Sequence, residues 1–367
     1  MLSVSDEDDE ALPIAYELIA KYPDVNARVI IGALSCMAAQ KVDYNGCGLG
    51  DEEVGINPKV NNLIRPYAEA AHDIVWILDS NIAVAPGTLA RAVHILSGPS
   101  SDSSHPRRRI ALVHHIPFAT SSPSQASFGT QVEEVFLNTN HAKMYIAINT
   151  IAMDSCVIGK SNLLRRSDLE RLDGSPARQQ YCDNRQRRGL AAFGRFVAED
   201  NMIGLALWHQ LDLRHDLSCD VACHALGNMS LLDYVQRRVR WIRVRKHMIL
   251  APTLLEPFTE SVVLSAITAM SVRFLKGIPI QLFLPAHFLL WLLVDLDVYA
   301  SLAGHALTSS KRWSFLVAWV VRELLAFPVW LLAIIGNEIK WRDRRYRVLR
   351  NGEAERVSAE RRRGIRL

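Results

Sequence analysis

Residues 254–335 form three long apolar segments, and any fold of this chain must bury them or immerse them in lipid. Residues 278–296 come close to the roughly 20 that a helix needs to cross a bilayer, and the only formal charge, Asp295, stands near the end. Residues 254–272 carry Glu256 and Glu260 at one end, so this segment spans the bilayer or lies in the interface. Residues 313–335 are long enough to span, but Arg322 and Glu323 sit mid-segment, where charge is costly in lipid. That segment is expected to pack against protein or to be re-entrant. Trp313, Trp319, Trp330 and Trp341 suit interfacial anchors. The competing reading is a buried helical core.

The rest of the 367 residues reads as soluble and mixed, enough for one large domain or two ordinary ones. A formal charge of +4 is too small to imply nucleic acid. The positive charge gathers after the apolar segments, at Lys340, Arg342, Arg344, Arg345, Arg347, Arg350 and Arg361 to Arg363. Such a run suggests a cytosolic flank near anionic lipid, or a solvated disordered tail. Six scattered cysteines, with no CxxC pair, read as free thiols in a reducing compartment. The start of the chain lacks the basic and apolar runs of a signal peptide.

Strand-like and helix-like stretches alternate through the first half. Helices are expected at residues 10–22, 57–71 and 86–96, and strands at 29–32, 73–78 and 110–114. Alternation of this kind argues for an α/β fold with a parallel sheet. Ligands of such sheets sit beyond the carboxyl ends of the strands, where Asp79 and His114 fall. Residues 128–137 and 143–148 are helical or mixed, and 155–164 return to the sheet. Ala198-Glu199-Asp200 opens a helix, where a carboxylate in the first turn is favoured by the dipole. Residues 231–245 form a basic helix. Residues 34–53 and 174–189 are polar inserts expected at the surface.

Three places could carry chemistry. Asp79 directly follows a buried apolar strand, where a carboxylate can hold a metal that bridges phosphates; taken alone, Asp-Ser-Asn is more often a turn. Asp200, beside Glu199, could act as a base toward an acceptor hydroxyl, or serve only as a helix-start charge. Arg237-Arg238-Val239-Arg240-Trp241 could stabilise a departing diphosphate, with Trp241 as a wall for the acceptor; a solvated basic helix is the alternative. A lone histidine such as His114 is more often structural, but at the end of its strand it would face the same crevice as Asp79. The twelve histidines show no HExxH spacing.

These pieces fall in a recognisable order. Val54-Gly55-Ile56-Asn57-Pro58-Lys59-Val60-Asn61-Asn62-Leu63 is followed by Ile77-Leu78-Asp79-Ser80 and Leu112-Val113-His114. Then come Gly159-Lys160-Ser161, Ala198-Glu199-Asp200, an (R/Q)xxRW element ending in Arg240-Trp241, and the stretch from Trp341-Arg342 to Tyr346-Arg347. Over nearly its whole length the chain resembles the ceramide glucosyltransferases, a branch of the GT-A glycosyltransferases. The resemblance implies a Rossmann-like GT-A catalytic domain over residues 1–250, membrane helices over 251–340 and a basic cytosolic tail over 341–367. It implies transfer of glucose from UDP-glucose to ceramide with inversion, at the cytosolic face of the Golgi membrane or the ER, with a divalent metal, Mg2+ or Mn2+. Asp6 would contact the nucleotide, Asp79 the diphosphate and metal, and Asp200 would be the base. Arg237, Arg240 and Trp241 would complete the UDP-sugar site, with His114 and Glu199 at the acceptor pocket. Family members carry a transmembrane helix and a further strand before the Asp6 phrase, so the chain is expected to be truncated at its N-terminus. A processive polysaccharide synthase and an inactive membrane remnant are the alternatives.

Overall fold

The computed structural model describes residues 1–4, 7–31, 43–44, 47–48, 54–98, 101–102, 105–106, 108–122, 126–175, 187–341 and 344–357. Asp6 and most of both polar inserts lie outside the described residues.

The elements run β1 (Leu2–Val4), α1 (Ala11–Lys21), β2 (Val29–Ile31), β3 (Asp43–Tyr44), β4 (Cys47–Gly48), α2 (Pro58–Ala68), β5 (Ile74–Leu78), β6 (Ile82–Val84) and α3 (Thr88–Ser97). Next come β7 (Ser101–Asp102), β8 (His105–Pro106), β9 (Ile110–Thr120), α4 (Phe128–Phe136), a π-helical turn (Leu137–His141), α5 (Ala142–Ile151), β10 (Ser161–Arg165) and α6 (Arg166–Leu169). The soluble part ends with α7 (Glu199–His209), β11 (Arg214–Ala225) and α8 (Leu231–Met248). Short α9 (Leu250–Leu255) precedes α10 (Ser261–Lys276), α11 (Ile280–Ala303) and α12 (Arg312–Ile335), and β12 (Glu338–Trp341), β13 (Arg344–Val348) and β14 (Ala354–Arg356) close the described chain.

The α/β class holds. β1 and β2 pair in parallel, and a five-stranded sheet has the order β5-β10-β9-β11-β6. That sheet is mixed. Arg214 N donates to Arg109 O and Leu226 N to Thr120 O, so β9 and β11 run the same way. Asp79 N donates to Lys160 O and Arg166 N to Asp73 O, so β5 and β10 run oppositely. The edge strand β6 is antiparallel to β11. The alternation of strands and helices foretold the class but not these antiparallel pairings, which depend on long-range partners.

The chain divides into two compact units. The first comprises Met1–Trp76, Pro99–Leu112 and Leu163–His215; the second comprises Ile77–Gly98, Val113–Asn162 and Asp216–Leu367.

In the first unit, the Val54-to-Leu63 phrase has a local structural meaning. Asn57 caps α2, its Oδ1 accepting from Lys59 N at 2.9 Å and Val60 N at 3.3 Å, and Pro58 supplies a fixed φ at the first helical position. Gly55 lies against Gly194, where an added Cβ would stand 2.3 Å from the carbonyl carbon, so only glycine fits.

In the second unit, α12 packs on α4 and α8. Phe315, Ala318 and Trp319 share a core with Val132, Phe136 and Tyr234. A capping box between Ser230 and Asp233 starts α8. α11 and the stretch Ser309–Ile335 are long and apolar enough to cross a membrane. Leu250–Thr259 and Ser261–Lys276 form a bent pair, at 63°, that would make a third span if it is one. Arg322, mid-way along α12, is 1% exposed and pairs with Glu260 at 2.8 Å and with Glu323. Packing against protein was one of the two expectations for this segment, and it is what solvates the charge. Of the basic stretch after α12, the described residues form a three-stranded antiparallel sheet, β12-β13-β14; Arg342 and Arg361 to Arg363 lie outside the described residues.

Candidate active site

Asp79 follows β5 directly, and its carboxylate pairs with Lys160 Nζ at 2.9 Å. His224, in β11, is buried and feels the charges of this pair. Its imidazole is held neutral, with its pKa lowered to about 4, first by burial and then by the positive charges of Lys160 and Arg237, against the pull of Asp79. One buried ring thus feels the strand-end aspartate and the first arginine of the Arg-Arg-Val-Arg-Trp helix together.

That helix is built into its surroundings, not solvated. Arg237 Nε donates to Glu133 Oε1 at 2.8 Å, and Glu133 is fully buried. Arg238, also buried, lies 3.8 Å from the ring centre of Phe136 and 4.3 Å from that of Trp241, a pair of cation–π contacts that fix the indole. Arg237 approaches the same indole at 5.0 Å. Arg240 donates to Lys340 O, and its pKa is lowered to about 10 by burial and by Arg237, so it stays cationic. His141, in the π-helical turn, stacks on Tyr145 and meets Trp241 at 5.8 Å between ring centres. Burial and neighbouring arginines lower its pKa to about 3, so it too is neutral. Asn138 ties the turn to β9 through both the N–H and the carbonyl of Ala119. Single π turns often mark functional sites.

For His114 the structural reading fits. It is fully buried, and its Nδ1 bonds the Tyr145 hydroxyl, so it sits inside the core and not on a crevice wall. The long strand β9 carries it inward.

In the first unit, Glu199 and Asp200 occupy the first turn of α7. Glu199 is buried, accepting from Asn57 Nδ2 at 2.7 Å and pairing with Lys59 Nζ at 3.2 Å. Its carboxylate is committed to the α2 start, which makes it a support and not a pocket wall. Asp200, its neighbour, is half-buried.

Sequence reasoning named Arg238 within the arginine-tryptophan element and Lys160 within the Gly159-Lys160-Ser161 phrase, and gave no role to Glu133, Phe136, His141, His224 or Asn57. The Asn-Pro pair was a helix-start signal for Asn57. The others had none, because their partners are remote in sequence. Among the described residues, no group of three His, Cys, Asp or Glu side chains gathers as for an ion. Mg2+ commonly takes only one or two carboxylates beside substrate phosphates and water, so Asp79 alone fits as the protein's ligand. Cys219 and Cys223 are free thiols.

A strand-end aspartate, an arginine-tryptophan helix and long apolar helices follow one another along the chain in the order of a membrane glycosyltransferase. The model of glycosyl transferase family 21 matches residues 47–354, and the chain belongs to that family. It is similar to a protein of Komagataella phaffii named ceramide glucosyltransferase, 35% identical over 95% of this chain and 76% of the relative. Proteins of the same name from Candida albicans (31% identical, 97% and 81% covered) and Gibberella zeae (30%, 94% and 76%) are also similar.

Proposed function

We propose that this protein transfers glucose from UDP-glucose to the primary hydroxyl of ceramide, with inversion, giving glucosylceramide. The observation that carries the reading is the family match over residues 47–354, which spans Asp79 at the end of β5, Asp200 and the Arg237-to-Trp241 element, in a chain whose relatives bear the name ceramide glucosyltransferase. Asp200 takes the proton of the ceramide hydroxyl as its oxygen attacks the anomeric carbon. The bond from that carbon to the diphosphate breaks, and UDP leaves. Arg237 and Arg240 stabilise the charge that develops on the leaving group. Trp241, held by Arg238, forms a rigid wall for the acceptor. Asp6 contacts the nucleotide. A divalent cation, held through Asp79 and phosphate oxygens, would offset diphosphate charge.

The apolar helices support lipid delivery at a bilayer surface, and we assign the protein to the cytosolic face of the Golgi membrane or the ER. The test is to supply purified protein in ceramide-containing vesicles with labelled UDP-glucose or UDP-galactose. Label in a monohexosyl lipid, from UDP-glucose, is expected. Label in a polymer would favour a polysaccharide synthase, and label from UDP-galactose alone would overturn the donor.

A further inference from the structure

The π-helical turn, Leu137–His141, is buried along its whole length, and three of its side chains reach three different elements. Asn138 binds the backbone of Ala119 in β9. Asn140 Nδ2 donates to Glu260 Oε1 at 2.9 Å, at the start of α10. His141 packs against the Trp241 indole of α8, with 5.8 Å between ring centres.

Glu260 is itself held in place. Its other oxygen pairs with Arg322 at 2.8 Å, mid-way along α12. Two residues past His141, Lys143 pairs with Asp295 of α11, also at 2.8 Å. The turn is therefore tied, on both sides of His141, to helices long and apolar enough to cross a bilayer. A hydrogen bond to a carboxylate is roughly twice as strong as a neutral one, and a low dielectric strengthens it further. Trp241 is half-buried and packs on the core that Tyr299 of α11 and Trp319 of α12 share with Phe136. One planar peptide joins Asn140 to His141, so a shift of Asn140 carries the imidazole with it and loosens the indole.

We propose that Asn140 is a positioning residue for the acceptor. Its bond to Glu260 transmits the seating of the membrane helices to Trp241, so the wall against which ceramide docks is set from the bilayer side. This rests on the reading that Trp241 walls the acceptor, and it adds that the acceptor side of the site depends on Asn140 while the donor side does not.

The experiment uses the full chain in ceramide vesicles. It reads kcat, the KM for ceramide as a mole fraction of the bilayer, and the KM for UDP-glucose. Asn140→Leu keeps the branched shape and removes the donor; Asn140→Ala removes it without adding bulk. Trp241→Phe and the double variant Asn140→Leu/Trp241→Phe complete the set. Each Asn140 variant should raise the ceramide KM about tenfold, the range of a lost bond to a charged group, and leave the UDP-glucose KM within about twofold of wild type. Because Asn140 acts through the indole, Asn140→Leu should add less than about twofold to the ceramide KM of Trp241→Phe, where independent sites would multiply. A residue that served stability alone would lower kcat per total protein and leave both KM values unchanged. That result overturns the inference. So do two KM values that rise together, effects that multiply in the double variant, or loss of the folded protein in both Asn140 variants. If Trp241→Phe leaves the ceramide KM unchanged, the acceptor-wall reading itself fails; if wild type makes no glucosylceramide, the proposed function fails first. Either takes this inference with it.

Discussion

Asn57 does more than its place in a loop phrase suggests. Its side-chain oxygen caps α2, and its amide holds Phe196 O and Glu199. Asn57→Ala should lower stability by about 1 kcal/mol or somewhat more, the usual cost of a lost cap, because it also leaves buried acceptors without a donor. A melting curve in detergent checks this; an unchanged midpoint would show that the cap is dispensable. His224 gives a pH prediction. Its folded pKa, about 4, lies below the ordinary 6.5, so below that ordinary value the unfolded chain binds a proton that the folded chain refuses. Stability is therefore intact above pH 6.5 and falls as pH drops from 6.5 toward 4. His141 adds in the same direction. His224→Gln should flatten part of this acid loss, measured as melting temperature against pH; an identical slope would contradict the burial argument.

Among the elements, α12 poses the sharpest problem, an arginine and a glutamate in mid-helix. Arg322 pairs with Glu260 and Glu323, Ser261 donates to Glu323, and Asn140 of the π-helical turn donates to Glu260. Asp295 of α11 is met by Lys143 of α5 and by the Trp319 indole, both at 2.8 Å. Removing one partner of a buried ion pair strands the other, at about 3–5 kcal/mol. Arg322→Leu should therefore lower the melting temperature in detergent far more than Arg273→Leu, on α10. Equal effects would mean that the buried network is not structural.

Most elements before α9 were legible in the sequence, because their apolar spacing is regular and Pro58 and the Ala-Glu-Asp start mark helix ends. β9 was read only to His114; Pro117 suggests a break, yet the strand runs to Thr120. β11 was not read at all. Arg-His-Asp-Leu-Ser-Cys-Asp lacks a β-branched run, and its neighbours in the sheet, not its own propensity, hold it extended. Motifs in the sequence name Asp79, Asp200, Arg237 and Trp241 as candidates. No motif gave a role to Lys160, Glu133 or His224, because each gains meaning only from a contact across many intervening residues.

For the whole molecule, the account joins an α/β glycosyltransferase fold to helices fit for a bilayer. Expressed with its full chain, the protein should stay in the membrane pellet after alkaline carbonate extraction, through α11 and α12. Release into the supernatant would contradict spanning helices. The central claim is sugar transfer to ceramide with Asp200 as the base. It is tested most directly by comparing wild type with Asp200→Asn in ceramide vesicles, reading UDP-glucose binding and glucosylceramide formation on the same samples. The account predicts that the variant binds UDP-glucose like wild type and forms glucosylceramide about 1,000-fold more slowly, the middle of the range for losing a general base. A variant that turns over at the wild-type rate would contradict it.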